Sequence, residues 1–221
     1  MPWTYYVFWL AATAGAAALS HPVVLVVALV ALVGRRWLPD PIQIARYAGR
    51  VRSLRAQVEL NPANAVARAQ LAEIWLDKRR PRRAIPLLEQ ALVRDPESAE
   101  LRYLLGIARL RAGDAQGALG PLGEALRRDA KLRYGSAYLA IGDALAAVGR
   151  RDEAIEAYRR FLRINTSSLE GYCKISAACE RNRDDAGAKR WRGEALDTYR
   201  ALPPFQRRKQ LGWWLRAKLA I

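Results

Sequence analysis

A chain of 221 residues with 52% hydrophobic and 26% charged content is too apolar for general disorder, and long enough for one extended domain with an accessory segment. Its 37 Lys and Arg against 21 Asp and Glu give a net charge of +16, which favours acidic partners: anionic lipid, nucleic acid or an acidic protein surface. Cys173 and Cys179 lack CxxC spacing, so both are expected to be reduced and structural rather than zinc or redox ligands.

Residues 1–34 contain no Asp, Glu, Lys or Arg. Two apolar runs, Trp3–Leu19 and Pro22–Val33, flank Ser20-His21. One continuous helix over residues 3–33 would be roughly 46 Å long, too long for a ~30 Å hydrocarbon core without strong tilt. Pro22 would also break it, whereas at the first turn of a second helix the proline costs little. The segment therefore reads as a membrane helical hairpin over 1–38. Trp3, Tyr5, Tyr6 and Trp37 then share one interface, made cytoplasmic by Arg35 and Arg36. Ala11/Gly15 and Ala12/Ala16 are small pairs at i,i+4 that let the two arms approach closely. A cleaved signal peptide is the rival, but no basic residue precedes the apolar run. The arms are short, so partial insertion stays open. His21 reads as a turn or cap residue, not as a ligand or base.

Leu38-Pro39-Asp40-Pro41 cannot continue a helix and separates this unit from the rest. Within 39–64, residues 42–60 carry one apolar stripe, Ile44, Tyr47, Val51, Leu54 and Val58, and read as a capping helix.

From there the chain repeats itself. Pro62 and Pro96 are 34 residues apart, as are Leu71 and Leu105, Ala84 and Ala118, Leu88 and Leu122, and Ala91 and Ala125. Four units follow: 65–98, 99–132, 135–168 after an insertion in Lys131–Gly135, and a weaker 169–202. Ala72, Gly106 and Gly142 are small where the first helix (A) of a unit crosses the second (B), and Ala84, Ala118, Ala154 and Ala188 answer from helix B. Gly113 and Gly149 close helix A, where a left-handed backbone is often needed. Residues 203–221 form a last helix opened by Pro204, with Leu211, Trp214, Leu215 and Leu219 on one face. It serves either as a cap or as an interfacial membrane helix built on Trp213, Trp214 and five basic residues.

The period and its small residues resemble the tetratricopeptide family over about residues 65 to 202, in a form similar to membrane-anchored bacterial members. Arg183 and Arg192 depart from that pattern, replacing a turn glycine and a bulky apolar residue. The resemblance implies an all-α solenoid whose A helices line a groove for partners. On this chain the groove positions are Glu73, Asp77, Tyr103, Ile107, Arg111, Leu139, Asp143, Ala177, Glu180 and Arg181. Some family members grip acidic chaperone tails with Lys and Asn; here the corresponding positions carry Ala69, Tyr103, Leu139 and Cys173, which argues against that ligand.

Arginines gather in the A–B turns, at Arg79, Arg80, Arg82, Arg83, Arg150 and Arg151. That edge either keeps the array soluble or faces anionic lipid or an acidic partner. No nucleophile–base pair, phosphate-binding glycine loop or metal-spaced cluster is present, so neither catalysis nor a cofactor is expected. The expected function is a scaffold or adaptor at the inner membrane, its array in the cytoplasm, assembling a membrane protein complex. The alternative is a peripheral nucleic-acid or anionic-lipid binder using the arginine edge. No aromatic stacking platform supports nucleic acid, and arginines alone give only salt-sensitive binding.

Overall fold

The computed structural model describes residues 41–219, so the hairpin expected over residues 1–38 lies outside the described residues. Among those described there are ten α-helices and one 3-10 turn, with no strand, and no helix is long and apolar enough to cross a membrane. Residues 53–221 form one compact unit; residues 1–52 fall outside it.

The first helix, α1, spans Pro41–Leu60. Four helical pairs follow: α2 (Ala65–Asp77) with α3 (Pro81–Arg94), α4 (Ala99–Arg111) with α5 (Ala115–Arg128), α6 (Ser136–Ala147) with α7 (Arg151–Ile164), and α8 (Leu169–Arg181) with α9 (Asp185–Ala201). The last helix, α10, is Pro204–Leu219. Within each pair the two helices pack together, and the second helix of each of the first three pairs packs on the first helix of the next, the stacking of a solenoid. At the start of the unit Leu54 is buried and the Arg55 guanidinium lies 5.7 Å from the Trp75 ring centre, which seats the end of α1 on α2.

Small residues set the crossings. A Cβ on Gly106 would lie 2.7 Å from Leu122 Cδ2, and one on Gly142 would lie 2.5 Å from Tyr158 Cδ1. Ala72, Ala84, Ala118, Ala154 and Ala188 are fully buried, so A and B helices meet without a gap. In the fourth pair Ser176 takes the small position, and its hydroxyl donates to the Ala188 carbonyl at 3.0 Å. Asn64, Ser98, Asp114, Ser168 and Asp184 cap the helices that follow them by accepting an amide N–H three residues on.

All four A–B turns use a left-handed residue: Arg79 at φ 54, Gly113 at 92, Gly149 at 85 and Arg183 at 60. In the first and fourth turns an arginine sits where the second and third use glycine, and an L side chain there is strained. The insertion between the second and third pairs is the turn Leu132–Gly135, with Arg133, Tyr134 and Gly135 left-handed in succession at φ 46, 57 and 80. It delays α6 and turns the Arg133 side chain back onto the preceding pairs.

The terminal helix occupies the place of a further helix A, packed on α8 and α9. Its seated face is not the expected one. Ala217 is buried and Gln210, Trp213 and Trp214 are half-buried, whereas Leu211, Leu215 and Leu219 are 46%, 42% and 58% exposed. Trp214 stacks on Tyr199 with ring centres 5.3 Å apart, and Cys173 Sγ lies 3.5 Å from the Trp213 carbonyl oxygen. The tryptophan pair assigned to a membrane tail thus packs on the array, because α10 carries apolar side chains on two sides and the flat Trp214 ring stacks on Tyr199.

Gln210 fixes that choice. Its Oε1 accepts from the Leu169 amide at 2.7 Å, and its Nε2 donates to the Ser167 carbonyl at 2.8 Å. Both ends of one side chain satisfy free backbone groups at the start of α8. Replacing Gln210 by Ala is expected to cost about 1–2 kcal/mol and to raise amide exchange in α10 before the rest of the array. Exchange that rises uniformly would show that α10 is held by its apolar face alone.

Candidate functional site

The groove positions divide into two groups. Glu73, Asp77, Tyr103, Ile107 and Arg111 line a cavity of ≈ 320 Å³ between α2 and α4. Arg133 lines it too, from the insertion. Its guanidinium donates to Glu73 at 2.6 Å, bonds Glu100, and lies 5.4 Å from the Tyr103 ring centre. The hydrogen bond to Glu100, helped by that to Glu73, raises the pKa of the Arg133 guanidinium, and burial pushes that of the Tyr103 phenol up. The chain's own arginine therefore already pairs with Glu73 and Glu100 in the first half of the groove.

The second group, Asp143, Ala177, Glu180 and Arg181, lines a cavity of ≈ 440 Å³ between α6, α8 and α10. Lys174, Cys173, Trp213 and Arg216 complete its wall. Its acids are already partnered. Asp143 accepts from Lys174 Nζ at 2.5 and 2.6 Å and from the Tyr158 hydroxyl at 2.9 Å. Lys174 also meets Glu170 at 3.1 Å, and Glu180 pairs with Arg192 at 3.0 Å. Arg181 makes no ion pair among the described residues, and Arg216 lies over the Trp213 ring at 4.5 Å without an acidic partner among them. The pocket thus carries two uncompensated guanidiniums beside an apolar floor of Ala146, Ala147, Ala177 and Ala178.

Leu139 does not join either group; it packs against the core cluster around Tyr158 and Phe161. Sequence reasoning missed Arg133, Lys174 and Arg216. Arg133 lies in the insertion, where the repeat period gives no register, and Arg216 enters from the terminal helix rather than from a repeat.

Burial lifts the thiol of Cys173 to about 11 and raises that of Cys179, so neither is a thiolate near neutral pH. Burial, with the Asp143 carboxylate adding to it, also pushes the Tyr158 phenol up. An unfolded tyrosine ionises near pH ~10. The folded phenol keeps its proton there, so stability present below that pH is lost as pH rises through it. Urea midpoints at about pH 8 and about pH 11 should therefore diverge, and less so in Tyr158→Phe; an equal drop in both proteins would assign the alkaline loss to other groups.

The basic edge breaks local rules of helix formation. Arg80 occupies the N-cap of α3, and Arg150 that of α7, and neither side chain makes a capping bond. Both put positive charge at the positive end of a helix dipole, though Arg150 donates to Glu153 at 2.6 Å. Arg79, Arg80, Arg82, Arg83, Arg150 and Arg151 are all exposed. Arg83 also lies 5.0 Å from the Trp75 ring centre. Arg80→Asp restores a cap beside Arg82 and Arg83 and is expected to stabilise the array by about 1 kcal/mol, read from the urea midpoint. An unchanged midpoint would show that the turn backbone cannot present a cap.

Residues 70–133 and 135–167 match tetratricopeptide repeat profiles. Both segments are therefore tetratricopeptide repeats. Among solved structures it is similar to MamA, at 26% identity and TM-score 0.67, covering 74% of this chain and 97% of that one. It also resembles PilW, described as a widely conserved type IV pilus biogenesis factor, at 19% identity and TM-score 0.64, covering 80% and 84%. A third likeness is to YrrB, described as a tetratricopeptide protein with an unusual peptide-binding site, at 18% identity and TM-score 0.62, covering 71% and 79%. No curated protein sequence matches the chain.

Proposed function

We propose that the chain is a membrane-anchored scaffold that assembles a protein complex, and that the groove between α6, α8 and α10 holds an extended, acidic segment of its partner. The observation that carries this reading is the ≈ 440 Å³ cavity with its apolar floor and the guanidiniums of Arg181 and Arg216. A carboxylate entering there meets two cations that have no internal acid to release, so its own desolvation is offset by new charge-assisted hydrogen bonds. The pockets of such arrays hold partners without chemistry, and nothing in this groove supplies a nucleophile activated by a base. The peptide-binding site named for YrrB lends the mode some support, and PilW's role in pilus biogenesis lends the assembly theme some.

The anchor is the uncharged stretch of residues 3–33, followed by Arg35 and Arg36, which favours the cytoplasmic side of the inner membrane for the array. A reporter active only outside the cytoplasm, fused after residue 221, should be silent; activity would reverse or remove the anchor. For the groove, the full chain purified in mild detergent after crosslinking should carry a partner that is absent when Arg181→Glu and Arg216→Glu are combined. A chain that emerges alone in both forms, or a partner retained by the double variant, overturns the groove reading.

A second reading rests on the edge. Arg79 in a left-handed turn and Arg80 at an uncapped N-cap cost stability that a glycine and a capping residue there would not, which favours an anionic ligand at the A–B turns. RNA crosslinking mapped to residues 78–83 and 150–151 would make that ligand nucleic acid.

A further inference from the structure

Four of the strongly exposed large apolar side chains of the described residues lie on one helix: Phe205, Leu211, Leu215 and Leu219 of α10, between 42% and 63% exposed. The opposite side of α10 is spent on the array through Gln210, Trp213, Trp214 and Ala217. Leu211, Leu215 and Leu219 recur every four residues and so run as one stripe along the outer face. Nothing among the described residues covers it. We propose that this stripe is a membrane-docking face, lying in the plane of an anionic bilayer with its leucines in the acyl boundary.

Charge decides the occupant. Helix α10 contains five basic residues and no acid. Arg207 is engaged internally, donating to the Leu202 carbonyl at 2.7 Å, but Arg208 and Lys209 are exposed and make no ion pair among the described residues. On the helical wheel Lys218 borders the stripe on one side and Lys209 borders it on the other, while Arg208 precedes Leu211 by one turn. Long basic side chains flanking a narrow apolar stripe can keep their heads at the phosphate level while their stems follow the leucines inward. A second copy of the chain fits poorly, since it would bring another +16 charge against the same helix. An anionic leaflet supplies both terms together: burial for the leucines and phosphates for the cations. The inference rests neither on the groove nor on the anchor, and it replaces the tryptophan pair with the leucine stripe as the part of α10 that meets lipid.

The test uses the full chain carrying a photoreactive benzoylphenylalanine at position 211, 215 or 93, reconstituted in phosphatidylcholine vesicles with or without phosphatidylglycerol. Val93 is 77% exposed and belongs to α3, so it controls for mere proximity to a vesicle. Positions 211 and 215 should give phospholipid adducts several-fold above position 93. The adducts should fall several-fold without phosphatidylglycerol, and also with Arg208→Glu combined with Lys209→Glu. Because both leucines are exposed, either label should leave the melting temperature unchanged, and the two positions check each other. Lipid adducts no higher than at position 93, adducts indifferent to lipid charge, or crosslinks from 211 and 215 to a second copy of the chain overturn the proposal.

Discussion

Gly106→Leu is expected to unfold much of the array, while Gly120→Ala on the facing helix stabilises it. A Cβ at Gly106 would already lie 2.7 Å from Leu122 Cδ2 and 3.3 Å from the Ala118 carbonyl oxygen. Leu122 is fully buried, so it has no exposed space into which to retreat. A whole leucine must then force α4 and α5 apart, an overpacking that costs about 3 kcal/mol or more. For a chain of this size that lowers the melting temperature by on the order of 10 °C. The loss spreads because each pair is buried mainly by its neighbours. Gly120 has nothing within 4 Å of an added Cβ. There the same loss of glycine only restores helix propensity, a gain of about 1 kcal/mol. Two glycines fourteen positions apart thus separate packing from backbone entropy. Equal melting temperatures for the two variants would mean that α4 and α5 do not cross at Gly106.

The crossings could be read from the chain because a small residue recurring every 34 positions marks a repeated close approach of two backbones. The same period located the turn glycines, and it left Arg183 as a departure that the structure resolves as a strained left-handed arginine. The site was less legible. Glu73 and Tyr103 were placed in the groove by repeat geometry, but Arg133 reaches Glu73 from 60 residues away, out of an insertion with no register. The terminal helix failed for a different reason. Trp213 and Trp214 on one side and Leu211 and Leu215 on the other are both apolar, so periodicity cannot choose between them. The choice is made by one polar residue, Gln210, whose two bonds need the loop before α8 as partner. A lone glutamine amid tryptophans and leucines was the available signal.

Asp143→Ala is expected to destabilise the array rather than merely empty the groove. The carboxylate joins three elements: its own helix α6, Tyr158 of α7 through the phenol at 2.9 Å, and Lys174 of α8 through bonds at 2.5 and 2.6 Å. Removing it leaves the Tyr158 hydroxyl, on a side chain only 3% exposed, without its acceptor. Lys174 keeps Glu170 at 3.1 Å, so its charge is not abandoned and the cost stays below that of a fully orphaned ion. A loss of about 2 kcal/mol follows, or roughly 4–8 °C in melting temperature. Tyr158→Phe removes both the donor and the need for an acceptor, so it should cost only about 1 kcal/mol. The double variant should then lose less than the sum of the two singles, since each removes part of the same bond. Asp143→Asn, which keeps an acceptor for Tyr158 but weakens the hold on Lys174, should fall between the wild type and Asp143→Ala. The outcome also decides what Asp143 is for. If Asp143→Ala melts with the wild type yet loses the crosslinked partner, the carboxylate is a ligand of the groove. If it melts early while Arg181→Glu with Arg216→Glu melts normally and loses the partner, Asp143 holds the third and fourth pairs together and the arginines do the binding.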